Sequence, residues 1–195
     1  MSHPITPVCT EWNVFTGGPS AGKTTVARIL EQRGIPVHYD VVRLYIEERL
    51  ARGESLDAIR GEAIQFHQRI ADLFEESEVT LDVTTPCILE NGMPDAISYL
   101  RLWTENIPQD LQSRVLSHRR RYKRIFIFEP LTAFEQDGVR VENSEMAQHV
   151  FRNAIQSYEE AGYEPIIVPR FCDDRKQSIE RRSDFVWEKL ATGMQ

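Results

Sequence analysis

Nine consecutive residues, Gly17-Gly18-Pro19-Ser20-Ala21-Gly22-Lys23-Thr24-Thr25, constrain this chain more than any other feature. They fit G-x-x-x-x-G-K-[ST], with Gly17, Gly22, Lys23 and Thr24 at the fixed places. A loop of this form wraps successive backbone N–H groups around phosphate oxygens. The lysine then reaches the β- and γ-phosphates, and the threonine hydroxyl is offered to Mg²⁺. Glycines are needed because a Cβ blocks the left-handed turns and the close approach of backbone to ligand. Trp12-Asn13-Val14-Phe15-Thr16 reads as a strand before the loop. Thr24–Arg33 carries Val26, Ala27, Ile29 and Leu30 as a helical stripe after it, with Gly34 as the stop. Strand, glycine-rich loop and helix, in that order, aim a helix N-terminus at an anion. The residues therefore predict a nucleotide-phosphate site.

The rest of the composition sets the frame. A chain of 195 residues with 41% hydrophobic and 27% charged residues suits one globular domain, residues 1–195, with a core of its own. A net charge of −7 argues against a nucleic-acid surface. Cys9, Cys87 and Cys172 form no C-x-x-C pair and cannot all pair with one another, which predicts reduced thiols. Met1–Thr10 has neither a basic nor an apolar leader region, and no stretch approaches the ~18 apolar residues of a membrane span. The expectation is a cytoplasmic protein that engages no membrane.

Further strands are expected at Ile35–Tyr39, Thr84–Leu89, Ile125–Phe128 and Pro165–Val168, with helices between them. Ile125-Phe126-Ile127-Phe128 lacks alternation, as a strand buried on both faces does. The connecting helices are expected at Val41–Leu50, Ala96–Trp103, Gln109–His118, Ser144–Ala161 and Asp173–Leu190, with Pro94 and Asp95 placed to open the second. Residues about 53–78 read as a helical insertion, opened by Ser55 as an N-cap and carrying the stripe Ala63, Ile64, Phe66, His67, Ile70, Leu73, Phe74. Strands alternating with helices give a single α/β domain with a mainly parallel sheet and right-handed crossovers.

Ligands of open α/β sheets sit beyond the carboxyl ends of the strands. That rule selects Asp40, Glu90, the 129–143 loop and Pro169–Asp174. Glu90 suits Mg²⁺ held through water or orientation of a nucleophile. Asp40 is either the acceptor of a substrate hydroxyl proton or a helix N-cap, with nothing in the residues to choose between them. Arg140 can close over a transferring phosphoryl group, or be a solvated surface arginine. The cations Arg119, Arg120, Arg121, Lys123 and Arg124 could bind phosphate or RNA, but standing right before a buried strand they read as a solvated helix end.

Four stretches together resemble a known group: Gly17–Thr25; Asp40-x-x-Arg43; Glu90-Asn91-Gly92-Met93-Pro94-Asp95-Ala96 with Tyr99; and Asp137-Gly138-Val139-Arg140. The chain is similar to the small P-loop ATPases related to the ribosylnicotinamide kinases, ATP-binding proteins often described as AAA domains. The resemblance implies a three-layer αβα P-loop NTPase fold of the nucleoside- and nucleotide-kinase type, with strand order 2-3-1-4-5. It implies ATP with Mg²⁺, and an arginine-bearing lid at 129–143. Gly17, Gly18, Pro19, Ser20, Ala21, Gly22, Lys23, Thr24 and Thr25 would hold the nucleotide. Thr24 and Glu90 would hold Mg²⁺, and Asp40, Arg43 and Asn91 would face the acceptor. Lys23, Asp40, Glu90 and Arg140 would be catalytic. The family usually shows Asp-Arg-Gly where this chain has Glu90-Asn91-Gly92, so Arg43 or one of Arg119–Arg121 would have to supply the missing cation. The expected activity is a kinase transferring the γ-phosphate of ATP to a small hydroxyl-bearing, nucleoside-like metabolite. The alternatives are a nucleotide-hydrolysing switch that acts with a protein partner and a nucleotide-binding module without chemistry.

Overall fold

Strands with apolar residues on both faces need cover on both sides, and the computed structural model supplies it across the residues it describes, 9–131 and 144–192. In chain order the strands are β1 (Trp12–Gly17), β2 (Val37–His38), β3 (Cys87–Glu90), β4 (Arg124–Phe128) and β5 (Ile166–Val168). The helices are α1 (Lys23–Gln32), α2 (Val41–Ala51), α3 (Leu56–Arg60), α4 (Ala63–Glu78), α5 (Asp95–Leu100), α6 (Gln109–Ser117), α7 (Ser144–Glu160) and α8 (Arg175–Ala191). The sheet runs β2-β3-β1-β4-β5 with every pairing parallel, the expected order.

Every residue of β1 is buried. Phe15, Phe126 and Phe128 pack under α1 and α8 through Val26, Leu30, Ile179 and Val186. Trp12, Val14, Ile125 and Ile127 face the other way, onto Ala154 and Tyr158 of α7. A further apolar cluster joins α4, α5 and α6 around Ile70, Phe74, Met93, Leu100 and Leu111. Each large apolar side chain sealed in this way contributes about 1.5–3 kcal/mol, so the layers on either side of the central strands fix where β1 ends. That end is the phosphate-binding loop.

Some boundaries differ from the sequence reading. Pro36 has no N–H to give a ladder, and β2 shrinks to Val37–His38 paired with β3 alone. Thr84 and Thr85 leave the third strand because Asp82 captures the Thr84 N–H and hydroxyl at 2.9 and 2.8 Å and the Thr85 hydroxyl at 3.1 Å, a local turn that competes with pairing. α5 stops at Leu100, and Arg101–Trp103 turn away. Asp174 caps α8 by accepting from the Gln177 N–H at 2.7 Å, which moves the helix start past Asp173. Ser55 does cap α3, accepting from Ala58 N–H at 3.2 Å.

Candidate active site

The loop between β1 and α1 is shaped by contacts that only glycine permits. Gly17 has φ 124°, and a Cβ there would lie 2.6 Å from the Phe128 carbonyl oxygen of β4. At Gly18 it would lie 2.7 Å from the Ala147 carbonyl of α7. Gly22 takes φ 84° as the N-cap of α1. Gly17 through Gly22, including Pro19, Ser20 and Ala21, are buried, while Thr25 is exposed on the first turn of the helix. Lys23 Nζ folds back over the loop, donating to the Gly17 and Gly18 carbonyls at 2.8 and 2.9 Å. A lysine parked on loop carbonyls over a cradle that a Cβ would fill suits a phosphate chain.

Glu90 closes β3 in register with Phe15, which brings it beside the loop. Burial pushes its carboxyl above the usual range, opposed by the Thr24 hydroxyl and the Lys23 charge. Asp40 N–H makes a long 3.4 Å contact with Oε2, and buried Oε1 has no partner. A threonine hydroxyl and a carboxylate with an unpaired oxygen are donors that suit a hard divalent cation. Among the described residues no cluster of three or more His, Cys, Asp or Glu forms a ready-made metal cage.

Asn91 follows with φ 66°, a left-handed conformation that asparagine tolerates. Its N–H donates to Phe15 O at 3.0 Å, while its buried Oδ1 is unpartnered. Asp95 was legible from sequence only as a charge opening a helix. In the fold it is a buried junction: Oδ1 accepts from the Thr16 hydroxyl at 2.5 Å, and Oδ2 from Tyr158 Oη at 2.7 Å and Gly92 N–H at 2.8 Å. Thr16 Oγ1 also accepts the Gly17 N–H at 2.6 Å, so β1, α5 and α7 are tied together at the first residue of the loop. Burial raises the Asp95 carboxyl as well, against its three donors and Lys23.

The N-cap reading of Asp40 holds. It N-caps α2, with Oδ1 accepting from Val42 and Arg43 N–H groups at 3.0 and 3.2 Å, and it also lines the cavity in front of the loop. That cavity, about 520 Å³, brings together Pro19, Lys23, Thr24, Asp40, Arg43, Glu90, Asn91 and Asp95. Its far wall is Phe66, Ile70 and Phe74 of α4, with Trp103 and Tyr99 from the α5 side. Arg43 Nε also donates to Glu47 at 2.7 Å.

Two of these wall residues had escaped the sequence reading. His67 was assigned to the core stripe and is buried as such, yet it also lines the cavity. Burial lowers its pKa, and its Nδ1 donates to the Ala63 carbonyl at 2.7 Å, which leaves Nε2 as an acceptor. A histidine on an otherwise apolar stripe was the available signal. Arg60, at the end of α3, is a second cation of the wall beside Arg43.

The expectation that Arg119–Arg121 could stand in for the cation missing at position 91 is corrected. They precede β4 and lie at the opposite end of the parallel sheet from the loop, where Arg121 pairs with buried Glu78 at 2.6 Å and stacks over Trp12. The solvated-end reading of those cations holds for exposed Arg119 and Arg120, while Arg121, Lys123 and Arg124 are half-buried and Lys123 pairs with Glu11. Arg140, with Asp137, Gly138, Val139 and most of the 129–143 loop, lies outside the described residues. Cys9, Cys87 and Cys172 are all free thiols, as expected. No helix of the described residues is long and apolar enough to cross a membrane.

A protein-family model described as an AAA domain matches residues 12–182. A comparison with curated protein sequences finds no match. Among solved structures, a NadR protein in complex with NR aligns with TM-score 0.64 at 19% identity, covering 92% of this chain and 50% of that one. This chain thus spans about half the length of the NadR chain. Thymidylate kinase from Candida albicans aligns with TM-score 0.61 at 13% identity, covering 95% and 92% of the two chains. Deoxyadenosine kinase from M. mycoides, with the products dCMP and dCDP bound, aligns with TM-score 0.60 at 11% identity over 93% and 98%. These likenesses establish the fold: a P-loop, nucleotide-kinase-like α/β sheet.

Proposed function

This chain belongs to the family of that AAA domain, and we propose that it works as an Mg²⁺- and ATP-dependent kinase for a small hydroxyl-bearing metabolite. One observation carries the proposal. Lys23, Thr24 and Glu90, at the donor phosphates, open into the same 520 Å³ cavity as Asp40 and Arg43. A donor site that only hydrolysed nucleotide would have no need of a walled, largely apolar room beside its γ-phosphate.

The loop amides and Lys23 hold the β- and γ-phosphates, Lys23 exchanging the Gly17 and Gly18 carbonyls for phosphate oxygens. Thr24 and Glu90 would hold Mg²⁺, which when bound neutralises charge on the phosphate oxygens. Asp40 keeps one oxygen on the α2 cap and uses the other to orient or deprotonate the acceptor hydroxyl. Arg43, Asn91 and His67 line the acceptor's surroundings, and the aromatic wall takes a flat or apolar body such as that of a nucleoside. Excluding water behind that body strengthens every charge in the site and suppresses hydrolysis. Arg140 is assigned neutralisation of the transferring phosphoryl.

The test is incubation with γ-labelled ATP, Mg²⁺ and a fractionated metabolite pool. Label should appear in one small organic product. Label found solely in inorganic phosphate would sink the kinase assignment in favour of a nucleotide-hydrolysing switch.

A further inference from the structure

Arg182 lies on α8, away from the acceptor cavity, and the proposed transfer makes no use of it. It is fully buried, with relative exposure 0%. A guanidinium taken out of water is costly unless its donors are met, and here each of its three nitrogens finds a main-chain carbonyl. Nε donates to Pro169 at 2.9 Å, Nη1 to Ala21 at 2.5 Å and Nη2 to Glu129 at 2.8 Å. Those carbonyls belong to the three segments leaving β5, β1 and β4. The guanidinium carbon sits 5.8 Å from the centre of the Phe128 ring. One planar fork therefore spans the loops that surround the donor phosphates.

The Ala21 contact matters most. No peptide bond among the described residues is cis, and in a trans peptide the carbonyl and the following N–H point in opposite directions. Gripping the Ala21 carbonyl from the α8 side therefore turns the Gly22 N–H away from α8. Gly22 is backed by the same helix, since a Cβ there would meet Ile179 Cδ1 at 2.4 Å. Glu129 is itself anchored: its N–H donates to Val168 O at 3.1 Å and its carboxylate accepts from Arg170 N–H at 2.8 Å. The fork thus ties the loop to the carboxyl ends of β4 and β5, which are themselves bonded to each other through Glu129.

We propose that Arg182 is a positioning residue for nucleotide binding, its guanidinium locking the Ala21–Gly22 peptide to the segments after β4 and β5 so that the Gly22 N–H faces the phosphates before nucleotide arrives. The proposal rests on the reading of Gly17–Thr25 as a nucleotide-phosphate site. Pre-organised donors cost nothing to orient at the moment of binding. A lysine keeps the charge but has no fork to meet three carbonyls.

The experiment uses the full chain with mant-ATP and Mg²⁺, titrated well below the melting temperature of each variant. Arg182→Met and Arg182→Lys should each melt lower than wild type and bind mant-ATP about ten- to a hundredfold more weakly, a loss set by one or two charge-assisted hydrogen bonds. Lower melting with wild-type affinity in the folded variants would reduce Arg182 to a structural role and overturn the proposal. Hydrogen exchange on the wild-type protein is the second arm, independent of whether the variants fold. The Gly22 amide should exchange markedly more slowly once mant-ATP and Mg²⁺ are bound, and exchange there that nucleotide leaves unchanged overturns the locked loop. Wild-type protein that fails to bind mant-ATP, or Lys23→Ala protein that binds it unchanged, sinks the nucleotide reading itself. Binding lost in Lys23→Ala but intact in both Arg182 variants sinks only the role of Arg182.

Discussion

The two sides of the cavity, proposed to take donor and acceptor, are built to different standards. On the donor side Gly17–Gly22 are buried and β1 is paired on both edges, with β3 over Trp12–Phe15 and with β4 over Asn13–Gly17. On the acceptor side β2 is a two-residue edge strand, and α2 has one buried residue, Ile46, in eleven. Two buried oxygens where the sides meet, Glu90 Oε1 and Asn91 Oδ1, lack partners. At the cavity rim Trp103 is 61% exposed. A phosphate chain is held by backbone N–H groups, whose placement requires a stiff frame. An acceptor is read by side chains around a cavity, whose polar atoms are completed by the ligand. Unpaired atoms at that boundary fit a cavity whose proposed ligands would complete them.

The contrast makes predictions that can break it. Lys23→Ala should lower phosphoryl transfer by about a thousandfold while leaving the melting temperature nearly unchanged. A variant that still transfers at the wild-type rate would remove the donor assignment. Asp40→Asn should cost about a hundredfold in transfer by removing a general base, yet preserve α2, because asparagine caps a helix as well as aspartate. Equal losses of activity and stability in a thermal melt would make Asp40 a cap alone. Asp95→Asn places an amide N–H₂ among three donors, and unfolding by urea should report about 1–3 kcal/mol of lost stability. A neutral outcome would show that the junction at Gly17 does not depend on the carboxylate.

The smallest effect is one of sign. Burial raises the Glu90 carboxyl above its unfolded value, so its charge costs stability. That cost is absent below the ordinary carboxylate range and sets in as pH rises through the raised folded value. Glu90→Gln should therefore melt higher than wild type at pH 7, with the difference closing as pH falls to about 4. Phosphoryl transfer should be lost at the same time. Asp95 shifts in the same direction but is common to both proteins, so it cancels. A variant that melts lower than wild type at pH 7 would mean that the Thr24 and Lys23 contacts outweigh the burial.

Much of the donor side was legible in the sequence because its determinants are contiguous. Gly17, Gly22, Lys23 and Thr24 act through local backbone, and the apolar run 125–128 declares its double burial without reference to anything distant. Strand ends also located Glu90 and Asp40. The acceptor side resisted because its residues meet across long separations. His67 looked like core until α4 was set beside Asn91, and Asp95 looked like a helix start until Tyr158 and Thr16 closed on it. Asp40 could not be assigned one role from sequence, since a carboxylate has two oxygens and only the fold shows that one of them caps α2 while the residue lines the cavity.

Sequence alone determined the phosphate-binding loop, the alternation of strands and helices and the kind of sheet they form, because each follows from short-range backbone preference and apolar period. Only the tertiary structure decided which charges share the site. It sent Arg119–Arg121 to the far end of the sheet and brought Arg60 to the cavity wall. It also buried Arg182, which is 161 residues from the Ala21 carbonyl it holds. Charge has no periodicity to read, and its partners are fixed only when the core packs and the strand ends converge.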